Sequence, residues 1–167
     1  MRTAAFVFAA LFICGGASAQ TVKPGLREDA MRGLKTLYVD AFVSEFLRDA
    51  LASETVLIIE ELKLRQNGIN VAVRGAEAVH LAPTLTVYIE ALPMPNGTLV
   101  YALRVDFSRL VQVNVGSSGP IVAVMASTWS DSIMATARAN EVESIKAAIN
   151  DLVDRFLNEY LKANPRN

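Results

Sequence analysis

The sequence has 167 residues, 52% of them hydrophobic and 20% charged, with a formal net charge of −1. That length and balance suit one globular domain, and no Lys/Arg cluster exists of the kind that nucleic acid or anionic lipid requires. With a single histidine, His80, a His-rich metal site is excluded, and the single cysteine, Cys14, lies in the leading apolar run, so no cysteine–histidine pair is expected in the mature chain.

The chain starts with the layout of a secretory signal. Arg2 is followed by the apolar run Ala4–Cys14 and then by Ala17-Ser18-Ala19, so cleavage is expected between Ala19 and Gln20. The run is much shorter than the roughly 20 apolar residues that span a bilayer, so the mature chain is expected to carry no transmembrane segment. Leu11-Phe12-Ile13 places bulky residues where a lipoprotein site favours small ones, so Cys14 is expected to leave with the signal. The mature chain then holds fifteen Lys and Arg against seventeen acids and no cysteine. It must be held together by its core, and a periplasmic or secreted location is expected.

Residues 20–33 are polar, contain Pro24-Gly25 and read as a flexible leader. The domain is expected over 34–164. Leu34–Val43 alternates, with Leu37, Val39, Ala41 and Val43 on one side, and is the first strand. A helix follows over about Ala50–Gln66, with an apolar stripe of Val56, Ile59, Leu62 and Leu64, and Asp49 or Ser53 as its cap. The acids on the helices, Glu60 and Glu61 among them, read as solvated. Asn67-Gly68 is a left-handed stop, and Ile69–Val73 is a short strand. Strand, helix and strand with short joints imply a right-handed crossover between two parallel strands.

Leu85–Leu92 alternates again and leads through Asn96-Gly97, a strong hairpin signal, into Thr98–Val115. That stretch is apolar at every odd position from Leu99 to Val115 except Arg109. At about 3.3 Å per residue it would run roughly 60 Å, so a bulge is expected near Ser108–Arg109. After a second turn, Ile121–Trp129 is a strand apolar on both faces, which implies burial on both or a partner on one. Ser130–Ala139 is a small-residue segment, and Glu141–Ala163 is the last helix, with Asn140 and Glu143 resembling a capping box and Asn164-Pro165 as its stop. The sum is an α+β fold, a two-layer α/β sandwich of order β-α-β-β-β-β-α. Its mostly antiparallel sheet of about five strands carries two helices on one face.

Little in the chain carries chemistry. His80 has no G-x-S-x-G nearby, and no phosphate-cradling glycine motif occurs. No catalytic residue, cofactor or metal is expected. Asp131 and Glu90 are weak candidates for binding. The interaction candidates are Tyr88, Val100 and Leu110 on the sheet face away from the helices, and Trp129 at a strand end, since tryptophan is frequent in binding hot spots.

Residues 64–71 (LRQNGINV), the strand 101–115, Thr128-Trp129, 149–156 and 160–165 (YLKANP) together resemble a family of small exported bacterial α/β proteins of unknown function. The arrangement is also similar to the amino-terminal domain of TolB-like proteins and to envelope transport-auxiliary proteins. These resemblances imply an envelope protein that acts through protein contacts, with an envelope protein or a second copy as partner, and they hand down no catalytic residue. Two other classes stay open: a binder of a small ligand or lipid, with a pocket near Trp129 and Tyr160, and a hydrolase using His80.

Overall fold

A computed structural model describes residues 26–72, 82–115, 119–138 and 141–165. The elements in chain order are helix α1 (Leu26–Met31), β1 (Thr36–Val43), α2 (Ser53–Gln66), β2 (Asn70–Val71), β3 (Thr84–Pro93), β4 (Thr98–Asn114), β5 (Ile121–Arg138) and α3 (Val142–Ala163). The strands form one sheet of order β2-β1-β3-β4-β5. β1 lies parallel to both β2 and β3, while β3, β4 and β5 form an antiparallel meander that holds most of the paired residues.

Alternation decides which face is buried. Leu37, Val39, Ala41 and Val43 of β1, Leu85, Val87 and Ile89 of β3, and Leu99, Tyr101, Leu103, Val105 and Phe107 of β4 are all buried. They form one core with Ile145, Ile149, Leu152, Val153 and Phe156 of α3 and with Val56 and Leu64 of α2. The expected α+β sandwich is therefore present, with a third short helix. α1 lies inside the stretch read as a leader, and Met31 at its end is fully buried. Two ties fix it there. Asn164 donates from Nδ2 to the Met31 carbonyl at 2.9 Å and accepts the Gly33 N–H at 2.7 Å. Arg109 donates to the Ala30 carbonyl.

Several local expectations hold. Asn67 closes α2 and Gly68 takes φ 79°, in the left-handed region. Gly97 takes φ 77° in the β3–β4 turn, where the Thr98 N–H reaches Asn96 Oδ1 at 3.1 Å. Asn164 ends α3. The register of β4 against β5 shifts between Phe107 and Ser108, next to the expected position: Phe107 faces Trp129 and Ser108 faces Ser127, which leaves Thr128 as the extra residue.

Other expectations need correction. α2 starts at Ser53 with Ala52 at its cap and no side-chain capping bond. Residues 45–51 form turns that bury Leu47 and Leu51 instead. Within α2 the buried positions are Val56, Glu60 and Leu64, one position per turn, so Glu60 faces inward and Leu62 is exposed. The small-residue segment after Trp129 continues β5 as far as Arg138, paired to β4 throughout. Residue Asn140 of the proposed capping box, and His80, lie outside the described residues. Beside α3, the Glu141 carboxylate accepts the Arg138 N–H at 3.0 Å.

Ile121–Ser127 departs furthest from expectation. Burial on both faces or a partner on one was expected; the strand is not buried on either face, and all its residues but the half-buried Ala126 are exposed. β3 pairs with β4 only as far as Ser108, so beyond that point β4 and β5 continue as a two-stranded ribbon with no core residue in it.

Candidate contact surfaces

The four candidate contact residues do not converge. Trp129 lies on the helix side at 4% exposure, its ring 5.4 Å from that of Phe156 in an edge-on contact, and the ring of Phe107, its cross-strand neighbour, lies 5.4 Å from that of Phe156 in a tilted contact. Tyr160 is also buried and donates its hydroxyl to the Leu34 carbonyl at 3.1 Å. Both rings are core residues. Next to Trp129, Asp131 accepts from Arg155 at 3.2 Å, and Arg155 also holds Asp151 at 2.6 Å. The hydrogen bond to Asp151 is the larger cause, ahead of that to Asp131, of the upward shift of the Arg155 pKa. Asp131 thus ties β5 to α3.

On the open face, Tyr88 stacks on Phe42 with ring centroids 5.3 Å apart, and the Arg104 guanidinium lies 4.8 Å over the Tyr88 ring. Arg104 in turn pairs with Asp106 at 2.6 Å, and Asp106 is nearly buried beside Thr86, its cross-strand neighbour. A cation between an aromatic face and a carboxylate satisfies itself, so the centre of the open face is a closed polar cluster rather than an empty site. Val100 and Leu110 flank it. They are ten residues apart on one strand, roughly 33 Å at strand spacing, so no single small partner touches both. Near Val100, Leu92 and Met134 (77% exposed) add apolar surface, and Glu90 lies between Tyr88 and Leu92 on the same face.

Leu110 belongs to a different surface. Cross-strand partners share a face. The pairs Arg109–Ala126, Val111–Val124 and Val113–Val122 therefore line the side that, nearer the core, packs on the helices, and Val115 follows by alternation. Leu110–Met125, Gln112–Ala123 and Asn114–Ile121 line the other side. One side is a strip of valines, and the other carries Leu110, Met125 and Ile121 among small and polar residues. Seven large apolar side chains of this ribbon are exposed: Leu110, Val113, Val115, Ile121, Val122, Val124 and Met125. No charged residue occurs from Leu110 to Ser130. At the root, between α1 and the ribbon, lies a groove of about 700 Å³ lined by Ala30, Arg109, Leu110, Val111 and Ala123 among others.

The sequence signal for the ribbon was the two-sided apolarity of Ile121–Ser127. Two-sided burial and two-sided exposure look identical in sequence, and what separates them is where β3 and the helices end. Among the described residues no group of three or more His, Cys, Asp or Glu side chains is placed to hold a metal ion, and no helix is long and apolar enough to cross a membrane.

No protein-family model and no curated protein matches the chain. Among solved structures, the chain is similar to a PelC variant from Paraburkholderia phytofirmans described as a dodecamer, at 20% identity and TM-score 0.43, over 77% of this chain and 90% of that one. It is similar to a minor lipoprotein from Acinetobacter baumannii at 13% identity and TM-score 0.40, over 77% and 92%. A third similar structure is an uncharacterized protein at 11% identity and TM-score 0.43, over 75% and 91%. The likeness to TolB has no counterpart among these three.

Proposed function

We propose that the chain is an exported, non-catalytic protein of the cell envelope that works by protein–protein contact, and that the β4–β5 ribbon makes the contact. The signal-like start supports export. The observation that carries the reading is the ribbon itself, a projecting pair of strands with seven exposed large apolar side chains and no charge beyond Arg109 at its root. A contiguous apolar surface of this kind is unfavourable in water and marks an interaction site in natural chains. The open face is the weaker candidate because its centre is already satisfied by the Tyr88–Arg104–Asp106 cluster.

The test is a crosslinked pull-down of tagged mature protein from its native envelope fraction, read by mass spectrometry. The wild type is compared with a ribbon variant, Val113→Lys with Val122→Lys, and an open-face variant, Leu92→Lys with Met134→Lys. The expected result is one enriched protein, an envelope component or untagged copies of the chain. That protein is lost with the ribbon variant and kept with the open-face variant. Recovery unchanged by the ribbon variant contradicts the reading.

A second reading, binding of a small anionic amphiphile, is favoured by the groove at the ribbon root, where Arg109 sits at an apolar wall. Tight binding of a fatty acid abolished by Arg109→Met, with the fold intact, would support it. The hydrolase reading rests on His80 alone.

A further inference from the structure

We infer that the occupant of the ribbon is further copies of this chain, each ribbon held on both sides by its neighbours; this rests on the reading above that the ribbon is the contact surface. Three observations single out a second copy from other occupants.

The first is charge. A foreign protein partner is ordinarily selected by complementary charges at the rim, and the ribbon offers none between Leu110 and Ser130. Its valine side, with Val111, Val113, Val122 and Val124, is instead self-complementary. β-branched side chains standing at the regular spacing of a pleat interdigitate with an identical strip.

The second is the backbone. β5 is the last strand in the sheet order, and among the described residues no strand lies beside its outer edge. Lipid could cover the apolar side chains but not those edge N–H and C=O groups, which hydrocarbon cannot hydrogen-bond. The ribbon is also short: Leu110–Val115 extends about 20 Å, whereas a membrane-crossing strand needs roughly 9–11 residues. Another copy supplies both apolar side chains and a strand edge.

The third is area. A ribbon about 20 Å long and two strands wide offers on the order of 300 Å² on one side. A stable specific interface buries roughly 800 Å² on each partner. One side of the ribbon is too small to hold a dimer. Contact on both sides and along the β5 edge approaches the required area, and it places every ribbon between two others.

The experiment is sedimentation velocity on the purified mature chain over a range of concentrations. It is run on wild type, on Val113→Lys with Val122→Lys, and on Val122→Cys with a thiol crosslinker. The only natural cysteine is Cys14, inside the expected signal, so Val122→Cys carries a single thiol. Both substituted positions are exposed, and circular dichroism checks that each variant is folded. The expected result is a concentration-dependent species larger than a dimer, reduced to monomer by the lysine pair, with Val122→Cys crosslinked between copies. A folded wild type that stays monomeric at every concentration overturns the inference, as does a monomer that binds phospholipid vesicles through the ribbon. A species no larger than a dimer contradicts contact on both sides. If the chain is monomeric but the lysine pair still loses an envelope protein in the pull-down, only this inference fails and the proposed function stands. If that pull-down is also unchanged, both fail.

Discussion

Trp129 shows how one residue can change the meaning of a pattern. It follows the bulge residue Thr128, and an extra residue reverses the parity of everything beyond it. Counting inward from Val122 and Val124 puts even positions on the helix side, which would send Trp129 outward. With Thr128 inserted, Trp129 turns inward onto Phe156. The sequence located the bulge from the misplaced charge of Arg109, but it could not say which strand carried the extra residue. Trp129→Ala should therefore cost about 3–5 kcal/mol in denaturant unfolding followed by circular dichroism, as for a large core aromatic. A cost near that of a surface change would show that Trp129 is not in the core. Asn164 is the other residue whose role is larger than its sequence signal. It reads only as a helix stop, yet its amide joins α3 to the Met31 carbonyl and the Gly33 N–H. Asn164→Ala should cost about 1–3 kcal/mol, because it leaves polar backbone groups without their partner. Asn164→Asp should recover only the part that accepts from Gly33.

The elements divide into those whose pattern was sufficient and those whose surroundings decided. β1, β3 and the first half of β4 alternate cleanly because one face meets the core and the other meets water, and each was readable. α2 was not. Its apolar residues do not gather on one stripe, and the burial of Glu60 with the exposure of Ile58 and Leu62 follows from how the helix sits on β1 rather than from periodicity. The second half of β5 was missed because Ala135 and Ala137 are small enough to read as a linker, although they pack in the core layer. The ribbon gives the sharpest expectation at this scale. No residue beyond Arg109 on β4 or before Trp129 on β5 belongs to the core. Shortening the ribbon by removing 111–124 and closing it with an Asn-Gly turn should leave the unfolding free energy within about 1 kcal/mol of wild type, the range of substitutions away from the core. A loss of several kcal/mol would mean that the ribbon is part of the domain's own packing. Deleting Thr128 alone should be far more damaging, since it forces the β5 side chains on one side of the deletion to exchange faces.

At the scale of the whole molecule, the fold class was legible and the function was not, for a physical reason. Burying one sheet face under helices leaves a periodic trace along the chain. A contact surface leaves only exposed apolar residues, and exposure is set by where the other elements stop. The two ends of the long meander therefore mean different things. Near β3 it is a layer of the core-bearing domain, and past Ser108 it is an exposed apolar ribbon, the surface proposed to make the contact. The most direct measurement of that division is amide hydrogen exchange on the mature chain, resolved peptide by peptide, in dilute and in concentrated solution. The account predicts that amides of 99–107 are protected at both concentrations, whereas those of 110–115 and 121–126 exchange quickly when dilute and become protected on concentration. Ribbon amides that are as protected as the core in dilute monomer, or that exchange equally fast at both concentrations, would contradict it.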